Sequence, residues 1–176
     1  MYGFDDLVFG KIYISIMHFY ENKNQSNTKI EKKIYYCHSD RVLFILPQWR
    51  SKAFFYFKPL IKQLKFNHTI VLYRLPYKLL SDDVKLTVGI FKEVTNDIKA
   101  TFNELQKKGS KEYSIIGNST SCVIAAMVAN SDKKCKKLVL NLVGNDLAEC
   151  MWYSENPLVK RIKNDLVREK ITLNKL

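Results

Sequence analysis

From residue 41 onward, short apolar runs alternate with longer amphipathic segments. Four of the runs are rich in valine, isoleucine, leucine and aromatic residues, and they are too short to form independent helices. Continuous apolar runs of this kind are typical of strands buried on both faces of a sheet. The predicted strands cover residues 42–46, 69–73, 113–116 and 138–143.

The segments between these strands have helical spacing. Residues 51–64 form an aromatic-rich candidate helix that is interrupted by Pro59. Ser81, Asp82 and Asp83 predict the start of a long helix, because their side-chain oxygens can accept its free N–H groups. The glycine at position 109 predicts its end. Its predicted buried stripe consists of Val84, Val88, Phe91, Val94, Ile98, Phe102 and Leu105.

Two further helices are predicted over residues 121–129 and 157–170. The regular strand and helix alternation favours a single α/β domain over residues 1–176, with a mostly parallel sheet and helices on both faces. Upstream, two β-rich runs at residues 11–20 and 29–37 flank the polar, asparagine-rich segment 21–27. That pattern predicts an N-terminal β-hairpin.

Charge leaves two interpretations open. The 176 residues carry a formal net charge of +12 and are 47% hydrophobic, which indicates a folded basic protein. The lysines are dispersed along the chain, with dense clusters at residues 133–137 and 160–163. A solvated basic surface without a specific nucleic-acid partner is the favoured interpretation, and binding of a polyanion or an acidic substrate is the alternative.

Cysteine and histidine positions favour a reducing compartment and no metal. The four cysteines form no C-x-x-C pair and no metal-ligand spacing with the three histidines. The sequence has no signal peptide pattern and no transmembrane helix pattern, so a cytoplasmic protein without a membrane partner is expected. The glycine motifs that hold dinucleotides or nucleoside triphosphates are missing too, and no cofactor is predicted.

The most informative motif is YSIIGNSTS at residues 113–121, which precedes a small-residue apolar segment. It predicts a buried strand, a tight turn with Ser119 at its apex, and a packed helix. A serine at such a turn is exposed to substrate, and the helix N-terminus faces developing negative charge. Gly117 and Ser121 are small, as the close approach of strand and helix requires. The alternative is an ordinary connection in which Ser119 or Ser121 caps the helix.

A nucleophilic serine needs two donors for the oxyanion. The first would be the backbone N–H of Thr120, and the second would come from the loop after the first parallel strand. That loop contains Gln48 and Trp49, whose N–H groups are available, whereas Pro47 has none. The alternative role of Trp49 is simple packing at the end of the sheet.

The strand order along the chain, the loop at residues 46–49, the turn at residues 117–121 and the segment 141–149 resemble the α/β-hydrolase superfamily. The resemblance covers nearly the whole chain, and the chain is similar to the N-terminal part of that family's domain. It implies a sheet with an N-terminal hairpin and with C-terminal strands missing. It also implies serine-dependent hydrolysis or acyl transfer on a small ester or thioester.

The chain departs from that family in one respect. The family places an acid and then a histidine after the nucleophile, and no histidine follows Ser119. Asp146 is a candidate acid, with a helix N-cap or loop role as its alternative. Either the chain is a fragment, whose strand at 138–143 is an exposed edge able to self-associate, or it is an inactive relative that binds a ligand or partner.

Overall fold

The computed structural model describes residues 29–51, 53–141 and 146–173, and it contains a five-stranded sheet. The strand order is β1-β3-β2-β4-β5, in which β1 is antiparallel to β3 and the other neighbours are parallel. The strands are β1 (Glu31–Tyr35), β2 (Arg41–Leu46), β3 (Thr69–Arg74), β4 (Glu112–Asn118) and β5 (Cys135–Asn141). The predicted α/β class with a mostly parallel sheet is therefore confirmed.

Six helices occur among the described residues: α1 (Ala53–Tyr56), α2 (Lys58–Leu64), α3 (Val84–Lys107), α4 (Ser121–Ser131), α5 (Leu147–Trp152) and α6 (Pro157–Arg168). The single helix predicted over residues 51–64 is two short helices. Pro59 lies in the first turn of α2, where its missing N–H costs nothing, whereas inside one continuous helix it would break a hydrogen bond. None of these described helices is long and apolar enough to cross a membrane.

The two faces of the sheet carry separate apolar cores. Alternate residues of β2 and β3, among them Phe44 and Tyr73, face α3 and α4. The intervening residues, among them Ile45 and Leu72, face α1 and α2. The helices therefore cover both faces, as predicted, because the chain crosses from β2 to β3 in one direction and from β3 to β4 in the other.

Both ends of α3 are fixed by the residues that the sequence indicates. The Asp83 carboxylate accepts a hydrogen bond from the Leu86 N–H at 3.1 Å. At the other end Gly109 has a φ of 102°, a left-handed conformation that glycine adopts without strain. The Gly109 N–H donates to the Gln106 carbonyl at 3.0 Å and the Ser110 N–H to the Leu105 carbonyl at 3.1 Å, which together make a Schellman motif.

The first turns of α3 correct one prediction. Val84 is only partly buried and Val88 is exposed, whereas Thr87 and Ile90 are buried. The Thr87 hydroxyl accepts a hydrogen bond from the Ser81 N–H at 3.0 Å, so this face of the helix turns toward the preceding loop. The remaining residues of the predicted stripe are buried: Phe91, Val94, Ile98, Phe102 and Leu105.

Strand β1 is the second strand of the predicted hairpin, and it lies beside β3. The first predicted strand, residues 11–20, and its loop fall outside the described residues. A polar cluster joins β1 to α3. The Lys32 ammonium donates to both Asp97 oxygens at 2.8 Å, and the Tyr73 hydroxyl donates to Asp97 at 2.7 Å.

Strand β5 is the last in the sheet order of the described residues. It begins at Cys135, three residues before the predicted start at 138, and residues 142–143 of the predicted strand lie outside the described residues. Leu138 is 40% exposed and Val139 is 51% exposed. In the described part of the sheet β5 is thus the last strand and exposes two apolar side chains, whereas the absence of further strands stays a prediction.

Candidate active site at the carboxyl edge of the sheet

The direction in which successive strands are added to the sheet reverses at β2. Strand β3, which follows β2 in sequence, pairs with one side of it, and β4 pairs with the other. The connections that leave β2 and β4 therefore run to opposite faces. In open α/β sheets, ligands bind in the crevice that forms at the carboxyl ends of two such strands. The predicted residues Gln48, Trp49, Ser119 and Thr120 all belong to these two connections.

Ser119 occupies the turn between β4 and α4. Its φ of 57° lies in the left-handed region, which costs a non-glycine residue about 1–3 kcal/mol. The Ser119 N–H donates to the Asn141 carbonyl at 2.8 Å, and the Ser119 carbonyl accepts from the Cys122 N–H at 2.9 Å. The side chain is half-buried, and its hydroxyl forms no hydrogen bond with another described residue. The turn is therefore as sharp as the motif predicts.

Gly117 lets β4 and α4 come into contact just before this turn. A Cβ atom placed on Gly117 would lie 2.8 Å from the Ala125 Cβ and 2.9 Å from the Cys122 Cα. Real Cβ atoms do not approach this closely, so one of the neighbours would have to move. The small residue at this position is a requirement of the packing, as the sequence indicates.

Ser121, the other small residue of the motif, is fully buried. Its hydroxyl accepts from the Asn118 N–H at 2.8 Å and lies 2.7 Å from the carbonyl oxygen of Leu46, at the end of β2. The Asn118 carbonyl is a second acceptor at 2.9 Å. The N-cap position of α4 is Thr120, without a side-chain cap, so neither Ser119 nor Ser121 caps this helix.

The register of β2 and β4 places the predicted backbone N–H donors at corresponding positions after the two strands. Leu46 pairs with Gly117, so Gln48 and Ser119 each follow the last paired residue of their strand by two positions. The N–H groups of Gln48, Trp49 and Thr120 donate to no acceptor among the described residues. These three N–H groups are therefore available as donors at this end of the sheet.

At this edge the Arg50 side chain stacks on two aromatic rings. The Arg50 guanidinium carbon lies 4.3 Å from the Trp49 ring centroid and 3.6 Å from the Tyr77 ring centroid. The Trp49 Nε1–H donates to the Tyr77 carbonyl at 2.8 Å, which ties the loop after β2 to the loop after β3. Trp49 also packs partly against the main core, so its alternative packing role is real.

Arg50 and Tyr77 were not singled out from the sequence. Arg50 has a φ of 61°, which is a strained left-handed conformation like that of Ser119. No local pattern indicates this stack, since its two aromatic residues come from different loops. Sequence reasoning also missed Asn141. Its carbonyl accepts the hydrogen bond from the Ser119 N–H, and its Nδ2 donates to the Asn118 Oδ1 at 3.1 Å.

Asp146 is the N-cap residue of α5. One of its carboxylate oxygens accepts from the Ala148 N–H at 2.7 Å and from the Glu149 N–H at 3.3 Å. This is the helix-cap role that the sequence offers as the alternative to a catalytic acid. The side chain is exposed.

The described histidines lie at the opposite edge. His38 precedes β2 and His68 precedes β3, so both are at the amino ends of the parallel strands. The six residues of β3 span roughly 20 Å at ~3.3 Å per residue, too far for a proton transfer to Ser119. The third histidine, His18, lies outside the described residues.

His68 sits in a positive environment. Partial burial lowers its pKa, and the nearby charges of Arg41 and Lys137 lower it further. Its buried Nδ1 has no hydrogen-bond partner among the described residues. These features fit a structural role at the amino edge.

Metal and thiol chemistry find little support in the described residues. No group of three or more histidine, cysteine or acidic side chains is placed to hold a metal ion there. The four cysteines are free thiols, and burial raises the pKa of Cys122, which lies behind the Ser119 turn. Cys122 is therefore a packing residue, with its Sγ 3.3 Å from the Asn141 carbonyl.

Comparison with models of protein families gives no match, and comparison with curated protein sequences gives none either.

Proposed function

We propose that Ser119 is the nucleophile of a serine hydrolase or acyl transferase that acts on a small ester or thioester. The observation that carries the proposal is the backbone of Ser119, whose φ of 57° places a half-buried hydroxyl on a strand-to-helix turn at the switch point of the sheet. Strained residues of this kind concentrate at functional sites. The N-terminus of α4 adds favourable electrostatics for an anionic intermediate.

The reaction would proceed in two acyl-transfer steps. The Ser119 Oγ attacks the carbonyl carbon of the substrate while its proton passes to a general base. The oxyanion accepts hydrogen bonds from the N–H of Thr120 and from that of Gln48 or Trp49. The alkoxide or thiolate departs with the proton from the base. Water or an acceptor alcohol then attacks the acyl carbon and gives its proton to the base, which returns it to the Ser119 Oγ as the bond between Oγ and the acyl group breaks.

The general base has to come from outside the described residues, because His38 and His68 are at the far edge. In the α/β-hydrolase arrangement, which we propose for this domain, an acid and a histidine follow the nucleophile in the chain. Asp146 is the candidate acid within these 176 residues, and its role as N-cap of α5 makes it a weak one.

A fluorophosphonate probe tests this proposal directly, because it labels only an activated serine. Wild-type protein should be labelled, and Ser119→Ala should not be. The matched control is Ser131→Ala, which removes a serine hydroxyl at the other end of α4 and should keep full labelling. Equal labelling of Ser119→Ala and wild type would refute the assignment.

A second candidate function is a binding module that uses the same edge without catalysis. It is favoured by the position of both described histidines at the opposite edge. A protein of this kind would show no fluorophosphonate labelling but would gain thermal stability from small carboxylates, esters or thioesters. Labelling that depends on Ser119 would exclude it as the sole function.

A further inference from the structure

The amino edge of the sheet places the lysine cluster at residues 133–137 at the same end as Lys108 and Lys111. The loop before β4 and the segment that enters β5 run side by side, because β4 and β5 are neighbours. We call their exposed lysines the basic edge: Lys108, Lys111, Lys133, Lys134, Lys136 and Lys137. Arg41, at the start of β2, is exposed at the same edge.

Acidic residues neutralise only part of this charge. Lys111 pairs with Asp40 at 3.4 Å, and Arg41 pairs with Glu112 at 3.7 Å. Lys133, Lys136 and Lys137 form no ion pair with a described residue. Lys136 and Lys137 lie where β5 is irregularly paired with β4, because Cys135 pairs with Tyr113 and Lys137 with Ser114. Uncompensated positive charge therefore lies at the amino end of β5.

Two exposed aromatic rings flank the basic edge. Tyr36 follows β1, is 62% exposed, and has the Lys108 ammonium 5.0 Å from its ring centroid. Phe66 precedes β3, is 72% exposed, and has the Lys65 ammonium 5.3 Å from its centroid. Burial in the core does not account for these rings, because most of each is open to solvent.

The loops that carry these rings are fixed to each other. The Cys37 thiol lies 3.2 Å from the Phe66 carbonyl, and the Ser39 hydroxyl donates to the Asn67 carbonyl at 2.8 Å. Lys137 and Arg41 both act electrostatically on His68, two residues from Phe66. The loops that carry the two rings are therefore joined at the same end of the sheet as the lysines.

We propose that this surface, the basic edge with Tyr36 and Phe66, binds single-stranded nucleic acid without sequence preference. Proteins that do so combine a positive track for the phosphates with aromatic rings on which bases stack. Unpaired bases are required, because a ring at a loop can stack only on a base that has left its duplex. The site is separate from the Ser119 edge and does not depend on the function proposed there.

Fluorescence anisotropy with three probes tests the proposal. The probes are an oligothymidylate of about 16 nucleotides, a duplex of the same length, and an abasic sugar-phosphate oligomer of the same charge. The oligothymidylate should bind at least tenfold more tightly than the abasic oligomer and more tightly than the duplex. Equal affinity for all three would overturn the proposal and indicate a surface for any polyanion.

Charge variants locate the site. Lys133→Gln/Lys136→Gln/Lys137→Gln should weaken binding at least tenfold and reduce the slope of log K against log salt by about 2, at ~0.7 per lost phosphate contact. The matched control, Lys78→Gln/Lys85→Gln/Arg161→Gln, removes three exposed cations elsewhere and should change affinity less than twofold. Equal weakening in both triple variants would contradict the assignment.

Ring variants separate stacking from charge. Tyr36→Ala/Phe66→Ala should weaken oligothymidylate binding about tenfold and leave the abasic oligomer unaffected. Because both rings are largely exposed, the fold should tolerate these changes. An unchanged affinity for oligothymidylate in a folded double variant would overturn the proposal.

Discussion

The Ser121 hydroxyl lies 2.7 Å from the carbonyl oxygen of Leu46, so the first residue of α4 is tied to the last residue of β2. This contact crosses the switch point of the sheet and fixes the spacing between the two connections that form the candidate site. It also uses a residue that would be assigned, from the sequence alone, to turn packing or helix capping.

Replacing this hydroxyl should destabilise the domain. Ser121→Ala leaves the Asn118 N–H and the Leu46 carbonyl without their buried partner, and we expect a loss of about 1–3 kcal/mol in the free energy of unfolding. Urea denaturation measures it. Ser131→Ala, at an exposed position of the same helix, should lose less than about 0.5 kcal/mol. Equal losses in the two variants would show that the contact to Leu46 is unimportant.

Two glycines should respond to alanine in opposite directions. Gly117→Ala forces a Cβ to within 2.9 Å of the Cys122 backbone, and we expect a destabilisation of about 1–3 kcal/mol. Gly89→Ala meets no atom within 4 Å on α3, so it should stabilise the helix by about 0.5–1 kcal/mol. Thermal unfolding of both variants checks the pair, and a neutral Gly117→Ala would mean that β4 and α4 can separate without cost.

Tyr73 should contribute through its hydroxyl as well as its ring. Burial raises the pKa of Tyr73 well above its usual range, so the hydroxyl keeps its proton and donates it to Asp97. Tyr73→Phe should cost about 1.5–3 kcal/mol, because the lost hydrogen bond has a charged acceptor. Tyr153→Phe, at a ring that is 70% exposed, is the control and should be neutral within about 0.5 kcal/mol. Equal effects of the two substitutions would show that the hydrogen bond from Tyr73 to Asp97 does not contribute measurably to stability.

His68 should make the domain less stable in mild acid. Its pKa in the folded protein is lowered from 6.5, mainly by burial and then by Arg41 and Lys137. The unfolded chain therefore binds a proton more readily, and stability falls as the pH drops below about 6.5. His68→Asn should flatten the dependence of Tm on pH between about 7 and 5. His38→Asn, which removes an exposed histidine, is the matched control, and an equal flattening there would contradict the assignment.

The elements that depend on local sequence were predictable. Apolar runs identified β2 and β3, because these strands are buried on both faces, and also β4, in which alternate residues are buried. Asp83 and Gly109 located the ends of α3 through hydrogen bonds that close within a few residues. The sharp turn at Ser119 was predictable for the same reason, since its small neighbours at 117 and 121 are adjacent in sequence.

Features that depend on distant segments were not predictable. Thr87 replaces Val88 in the buried face of α3 because its partner is the backbone of Ser81, which no periodicity reveals. Arg50 meets Tyr77 only because β2 and β3 are neighbours. The lysines before β4 and those that enter β5 lie at the same end of the sheet only because these two strands pair in parallel. The sequence therefore indicated the motif of the candidate site but not its surroundings.

The length of the central strands has a consequence for how the protein can change. Strand β2 has six residues and separates its two ends by roughly 20 Å. Substitutions farther apart than about 10 Å without shared partners have additive effects on free energy. Alterations near Ser119 and alterations among the lysines at the far end are thus thermodynamically independent. One end of the sheet can diverge or be engineered while the other keeps its properties.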